Sequence, residues 1–178
     1  VDEAIQQMAA SNQQAAKYFL KKGVLGATDI TGFGLARHAQ NLSLRLGASG
    51  CRLDLSSLPL LDGALTLLSS GIKSSLHDQN RAAVQIDASG LNSYSGAQFD
   101  VHVETLFDPQ TSGGLLGVFP RDTANRLVAT LHKDGQTAAI IGKLDFTNAG
   151  VHLTGHMYKY HANRNFTNGC NLRGNECR

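Results

Sequence analysis

Charge of one sign is what this chain most lacks. Sixteen Lys and Arg face fourteen Asp and Glu, leaving a net charge of +2, and no segment interleaves basic with aromatic residues. A nucleic-acid footprint needs a clustered positive excess, so no nucleic acid is expected as a partner. Long apolar runs are also missing. None reaches the roughly 18 residues that mark a membrane-spanning helix, so no membrane is expected as a partner. No basic-then-apolar leader opens the chain, which makes a cytoplasmic protein the default expectation. Cysteine is scarce: Cys51, Cys170 and Cys177 are odd in number and widely spaced, which argues against a disulfide framework. Cys51 falls in the alternating segment Gly50–Leu55 and is expected as a small hydrophobe in a strand. No internal repeat is found.

What is present suits one folded domain. The chain has 178 residues, 42% of them apolar, and 19 glycines, enough for a sizeable core joined by many tight turns. Helices are expected over 2–22, about 33–46, 62–70 and 122–133. Strands are expected over 50–55, 101–107, 115–119, 137–146 and 151–154, the last two around a hairpin-type turn at Thr147–Gly150. Residues 72–100 read as loops. The folded domain is assigned to 1–154. Residues 155–178 form an Asn- and Arg-rich tail with no stripe to pack. His152, His156 and His161 with Cys170 and Cys177 match no tight zinc spacing.

Two short runs carry the chemistry. Thr28-Asp-Ile-Thr-Gly-Phe-Gly-Leu35 places one carboxylate, two hydroxyls and two glycines at the mouth of a helix. Hard cations take oxygen ligands, and Mg²⁺ is commonly held by one or two carboxylates plus substrate phosphates. Helix-opening amides face anions. Leu106-Phe-Asp-Pro-Gln-Thr-Ser-Gly-Gly-Leu115 has the same character. Asp29 is the candidate metal ligand; Thr31, Gly32, Gly34, Thr111, Ser112, Gly113 and Gly114 are the candidate nucleotide-binding residues. Each run also reads as an ordinary turn, with Asp29 or Thr31 capping a helix. Asp108 reads as a turn former through its Asp-Pro junction, and His38 as a helix residue with a satisfied partner. His77 and His102 stand without a constellation. Neither run matches a Walker loop or a dinucleotide fingerprint.

As strings, Ala27–Leu35 and Leu106–Leu116 closely resemble the carboxy-terminal half of the selenide, water dikinase (selenophosphate synthetase) family. Met8, Asn12 and Ala15-Ala16, Leu58–Ala64, Asn80-Arg81 and Ala138–Gly142 match in the same order. The resemblance covers about residues 1–154. It departs at Ser69–His77, which replaces a Pro-Gly-Gly segment, and in the tail. The resemblance implies an α/β (α+β) domain of the aminoimidazole-ribonucleotide-synthetase type, with a mixed sheet flanked by helices. It implies an enzyme that uses ATP and Mg²⁺ to phosphorylate selenide, giving selenophosphate, AMP and phosphate, and that works as a homodimer. The catalytic Cys or selenocysteine and Lys belong to an amino-terminal synthetase domain, so no catalytic residue is expected in this chain and the isolated chain is expected to be inactive. The aspartate of the Thr-Asp-x-Thr-Gly-Phe-Gly motif looks like a Mg²⁺ ligand, a role that falls on Asp29. Another ATP-using synthetase of the same superfamily, or a non-catalytic docking or regulatory module, stands as the alternative.

Overall fold

The computed structural model describes residues 2–91 and 97–154, and only the backbone of 97–100. Its central strand is β2 (Gly50–Asp54), whose inward residues Cys51 and Leu53 are buried and whose alternate residues Arg52 and Asp54 are half-buried. That period of two is the signature of a strand with one face on a core. β2 pairs antiparallel with β5 (Gly142–Asp145) on one side and parallel with β6 (Gly150–Thr154) on the other. A two-residue edge strand, β3 (Ile86–Asp87), runs parallel to β6. The order is β3-β6-β2-β5. A separate antiparallel ribbon joins β1 (Gly26–Asp29) to β4 (Leu115–Val118), with Asp29 opposite Leu115.

Helix α3 (Gly34–Arg45) lies over β2, β6 and β1. Its Ala36 and Ala39 meet Cys51, Leu53, Val151 and Leu153 of the sheet, together with Val103, Leu106 and Phe107. A smaller core joins Phe19 of α2 (Gln13–Lys21) to Leu127 and Leu131 of α7 (Arg121–Lys133), with Phe119 edge-on to Phe19 at 5.0 Å. The remaining helices are α1 (Asp2–Ala9), α4 (Ala64–Ser69), α5 (His77–Ala82) and α6 (Ala97–Glu104). The α+β class with a mixed sheet and packed helices is as expected.

Five local expectations fail, the first being that residues 72–100, read as loops, carry α5, the edge strand β3 and the start of α6. The helix over 2–22 is two helices that break at 10–12, where Asn12 donates its side-chain amide to Gly113 O at 2.8 Å. The segment 101–107 is not a strand: α6 ends at Glu104 and a 3₁₀ turn covers Thr105–Phe107. The buried residues Val103, Leu106 and Phe107 recur at helical spacing, which outweighs the alternation of Val101 to Val103. Only 142–145 of the 137–146 run forms a strand. Beyond Gly142 one more bond joins Asp54 N to Ile141 O, and β2 then turns into a 3₁₀ helix at Leu55–Ser57, leaving 137–140 no neighbour to pair with. β5 and β6 do not form a hairpin with each other; they flank β2. The connection arches over the start of β2 at Gly50, where a Cβ would collide with Gly150 O and lie 2.8 Å from Asn148 O. Asp145 holds this arch. Its carboxylate accepts from Thr147 N, Thr147 Oγ1, Asn148 N and Asn148 Nδ2, and takes Arg52 Nε at 2.7 Å.

Cys51 is buried in β2, as expected, and burial raises its thiol pKa. His152 of β6 lies between the Asp87 carboxylate and Ala149 O, each 2.9 Å away. The tail from 155, with His156, His161, Cys170 and Cys177, lies outside the described residues.

Candidate functional site: two glycine loops on one strand pair

Pairing of β1 with β4 brings the two chemical runs together. Asp29 closes β1 and Leu115 opens β4 directly opposite, so the loop leaving β1 and the loop entering β4 share one end of the ribbon. Ile30 N donates to Gly114 O at 3.0 Å and Gln110 N to Thr31 O at 3.2 Å. Contact is closest at Gly113, where a Cβ would collide with Ile30 O and come within 2.9 Å of Gln110 Cβ. Any larger residue would push the loops apart. Ser112 beside it has φ 51°, the one non-glycine in the left-handed region among the described residues. Such strain concentrates at functional turns.

Asp29 is exposed at the end of β1. Thr111, Ser112 and Gly114 are exposed and Gly113 is half-buried. Thr31 is half-buried and engaged: its N–H and hydroxyl both lie 3.1 Å from His38 Nε2. The N–H can only donate, so Nε2 accepts, and the expected partner of His38 is this loop. Gly34 N donates to Thr31 O at 3.0 Å. The amides of Thr31 and Gly34 thus serve the helix entry, as the ordinary-turn reading has it, while those of Gly32 and Phe33 have no partner among the described residues. Gly34 enters α3 at φ 73°, and a Cβ there would sit 2.8 Å from Leu106 O. Helix α3 has no side-chain cap and no acidic residue in its first turn, so the partial positive charge of its amino end is uncompensated by its own residues.

Asp108 follows the 3₁₀ turn in extended conformation. Its carbonyl and carboxylate both lie 3.3 Å from Gln110 Nε2. Burial raises its carboxyl pKa, with His77 opposing.

Helix α5 supplies what the spacing of the sequence did not signal. Asn80, 6% exposed, donates through Nδ2 to Gly32 O at 2.8 Å and to Phe107 O at 3.1 Å. The Asn80-Arg81 match to the family string was the one sign of it. His77 has a constellation after all. It is fully buried, with Nε2 donating to Glu104 O at 3.1 Å and lying 3.3 Å from Glu104 Oε2. Its Nδ1 has no hydrogen-bond partner among the described residues. Glu104 also takes Lys73 Nζ at 2.9 Å and Arg81 Nε at 3.4 Å, and the Arg81 guanidinium lies 4.8 Å above the Phe107 ring. Charge and ring together fix α5 to the segment that leads into the second loop. His102 lies on α6, where its carbonyl accepts from Thr105 Oγ1 at 2.6 Å.

Among the described residues no three His, Cys, Asp or Glu come together as a metal site. Asp29 would offer an exposed side-chain carboxylate to a cation at this edge. The donors beside it are hydroxyl and carbonyl oxygens, a set that fits a hard ion such as Mg²⁺.

Comparison with known proteins gives this site a context. The family model described as AIR synthase related protein, C-terminal domain, matches residues 2–152. A protein of Geobacter sp. named selenide, water dikinase is 34% identical over 143 residues, 80% of this chain and 39% of its own length. Proteins of the same name from Porphyromonas gingivalis (38% over 144 residues, 79% of this chain) and Bdellovibrio bacteriovorus (36% over 147 residues, 80% of this chain) are each covered over 39% of their length. The chain therefore spans about two fifths of the curated relatives it matches.

Proposed function

Because the chain belongs to the AIR synthase related family, C-terminal domain, we propose that it is the carboxy-terminal domain of an ATP-dependent selenide, water dikinase and that it supplies one edge of the Mg²⁺–ATP site. The observation that carries this reading is the exposed Asp29 carboxylate at the end of β1, set against the Thr111–Gly114 loop by strand pairing.

Each residue has a distinct task in it. Asp29 holds the cation from this side. The free amides of Gly32 and Phe33, backed by the amino end of α3, face phosphate oxygens. Thr111 and Ser112 offer hydroxyls, and Gly113 and Gly114 let the main chain approach the phosphates. Mg²⁺, when bound, neutralises charge that builds on the transferring phosphoryl group. Phosphoryl transfer is mostly positioning and electrostatics, so a domain without nucleophile or base still contributes to rate. The nucleophile, the catalytic lysine and the other metal ligands come from an amino-terminal synthetase domain, and the working protein is a cytoplasmic homodimer.

Two assays test this. The isolated chain, given ATP, Mg²⁺ and selenide, forms no selenophosphate detectable by ³¹P NMR; robust turnover would contradict the division of labour. A chimaera in which this chain replaces the matching part of the Porphyromonas gingivalis relative makes selenophosphate. Asp29→Asn in it lowers the rate roughly 100-fold, in line with the several kcal/mol a metal contact supplies. An unchanged rate in a folded chimaera would remove Asp29 from the site.

A further inference from the structure

Asn80 is the one side chain among the described residues that is hydrogen-bonded to both chemical loops. Its Nδ2 carries two hydrogens, and these reach Gly32 O at 2.8 Å in the first loop and Phe107 O at 3.1 Å at the entry to the second. Asn12 reaches the second loop alone, at Gly113 O.

The bond to Gly32 has a directional consequence. A trans peptide is planar, with its C=O and N–H pointing opposite ways. All described peptides are trans. Asn80 is buried and draws the Gly32 carbonyl inward, so the N–H of the same peptide, which belongs to Phe33, turns outward. Phe33 is 63% exposed and its amide has no internal partner among the described residues. The carrier of Asn80 is itself fixed: Arg37 of α3 donates to Ala83 O at 2.8 Å just after α5, and His77 and Arg81 tie α5 to Glu104.

We propose that Asn80 is a positioning residue. It aims the Phe33 amide at a phosphate oxygen and fixes the first loop relative to the second, without touching the nucleotide. This inference rests on the metal–nucleotide reading above.

The test is amide-resolved NMR on the 178-residue chain, with Mg²⁺·ADP as probe. In the unmodified chain the Phe33 and Gly32 amide signals shift on titration. Asn80→Ala speeds hydrogen exchange at Gly34 and Gln110, whose amides donate to Thr31 O, abolishes the Phe33 shift and weakens apparent affinity about tenfold. Asn80→Asp keeps the side-chain volume, loses both donors and behaves alike, so it serves if the alanine variant does not fold. Asn12→Ala speeds exchange near Gly113 only. Leu131→Ala, in the second core, lowers stability without changing the Phe33 response, which separates positioning from mere loss of fold. Unchanged exchange and an unchanged Phe33 shift in a folded Asn80 variant overturn the proposal, as does loss of the shift in Leu131→Ala. If the unmodified chain shows no shift at all, the metal–nucleotide reading fails and this inference falls with it. A failure confined to the Asn80 variants leaves that reading standing.

Discussion

Two glycines decide whether the loops can meet. Gly34 adopts φ 73° with the main chain of Leu106 and Phe107 within about a carbon's contact of the absent Cβ, and Gly113 lies against Ile30 O. Gly50 lets the final connection cross β2. A side chain at φ near +70° costs roughly 1–2 kcal/mol from conformation alone, and a backbone clash adds to it. Gly34→Ala and Gly113→Ala are therefore expected to lose about 2 kcal/mol or more in urea unfolding. Gly32→Ala, where nothing lies within 4 Å of the site of the Cβ and φ is not positive, is expected to lose less than about 1 kcal/mol, the ordinary surface range. Equal losses at all three positions would mean that the close approach of the loops is not what these glycines serve. The sequence showed the Gly residues but not which are forced, since both runs read equally well as ordinary turns. The steric demand comes from Ile30 and Leu106, and nothing in the spacing of the sequence says that they lie close.

The elements were legible where one period dominated. The α3 and α7 stripes and the alternation of β2 could be read directly. The alternation over 101–103 misled because the packing period of Val103, Leu106 and Phe107 runs against it. The β5–β6 connection misled because a short polar turn with Gly150 looks the same whether the strands pair with each other or straddle a third. The arch holding that crossover is an acid-sensitive element. Hydrogen bonds from Thr147 and Asn148 hold the Asp145 carboxyl well below the usual carboxylate range. The Ser89 amide and hydroxyl, helped by His152, lower Asp87 to about 2. Both groups bind fewer protons folded than unfolded. Their contribution is present above about pH 4, the unfolded value, and is lost as pH falls toward 2 and below. Burial gives Asp108 the opposite sign: its contribution is full below about pH 4 and is lost as pH rises through its raised value. Asp145→Asn should lower the melting temperature at pH 7 and flatten its decline from pH 4 to pH 2, read by calorimetry. Parallel profiles for the two proteins would mean that Asp145 does not carry the acid sensitivity.

At the scale of the whole molecule, β1 and β4 lie far apart in sequence and form a ribbon that no local pattern announces, yet this pairing is what turns two turns into one surface. The string resemblance supplied the pairing's consequence; the spacing alone did not. Helix α5, in the segment expected to be loop, then bridges the surface from behind through Asn80. No helix of the described residues is long and apolar enough to cross a membrane, and the matched family model spans residues 2–152. The account's centre is that one exposed carboxylate, Asp29, holds a divalent ion between these loops. The most direct measurement is Mn²⁺-induced broadening of amide NMR signals in the chain with ATP present, repeated with Asp29→Asn. The account predicts broadening at Asp29–Phe33 and at Thr111–Gly114 together, both lost in the variant. Broadening elsewhere, at one loop only, or unaltered by Asp29→Asn would contradict it.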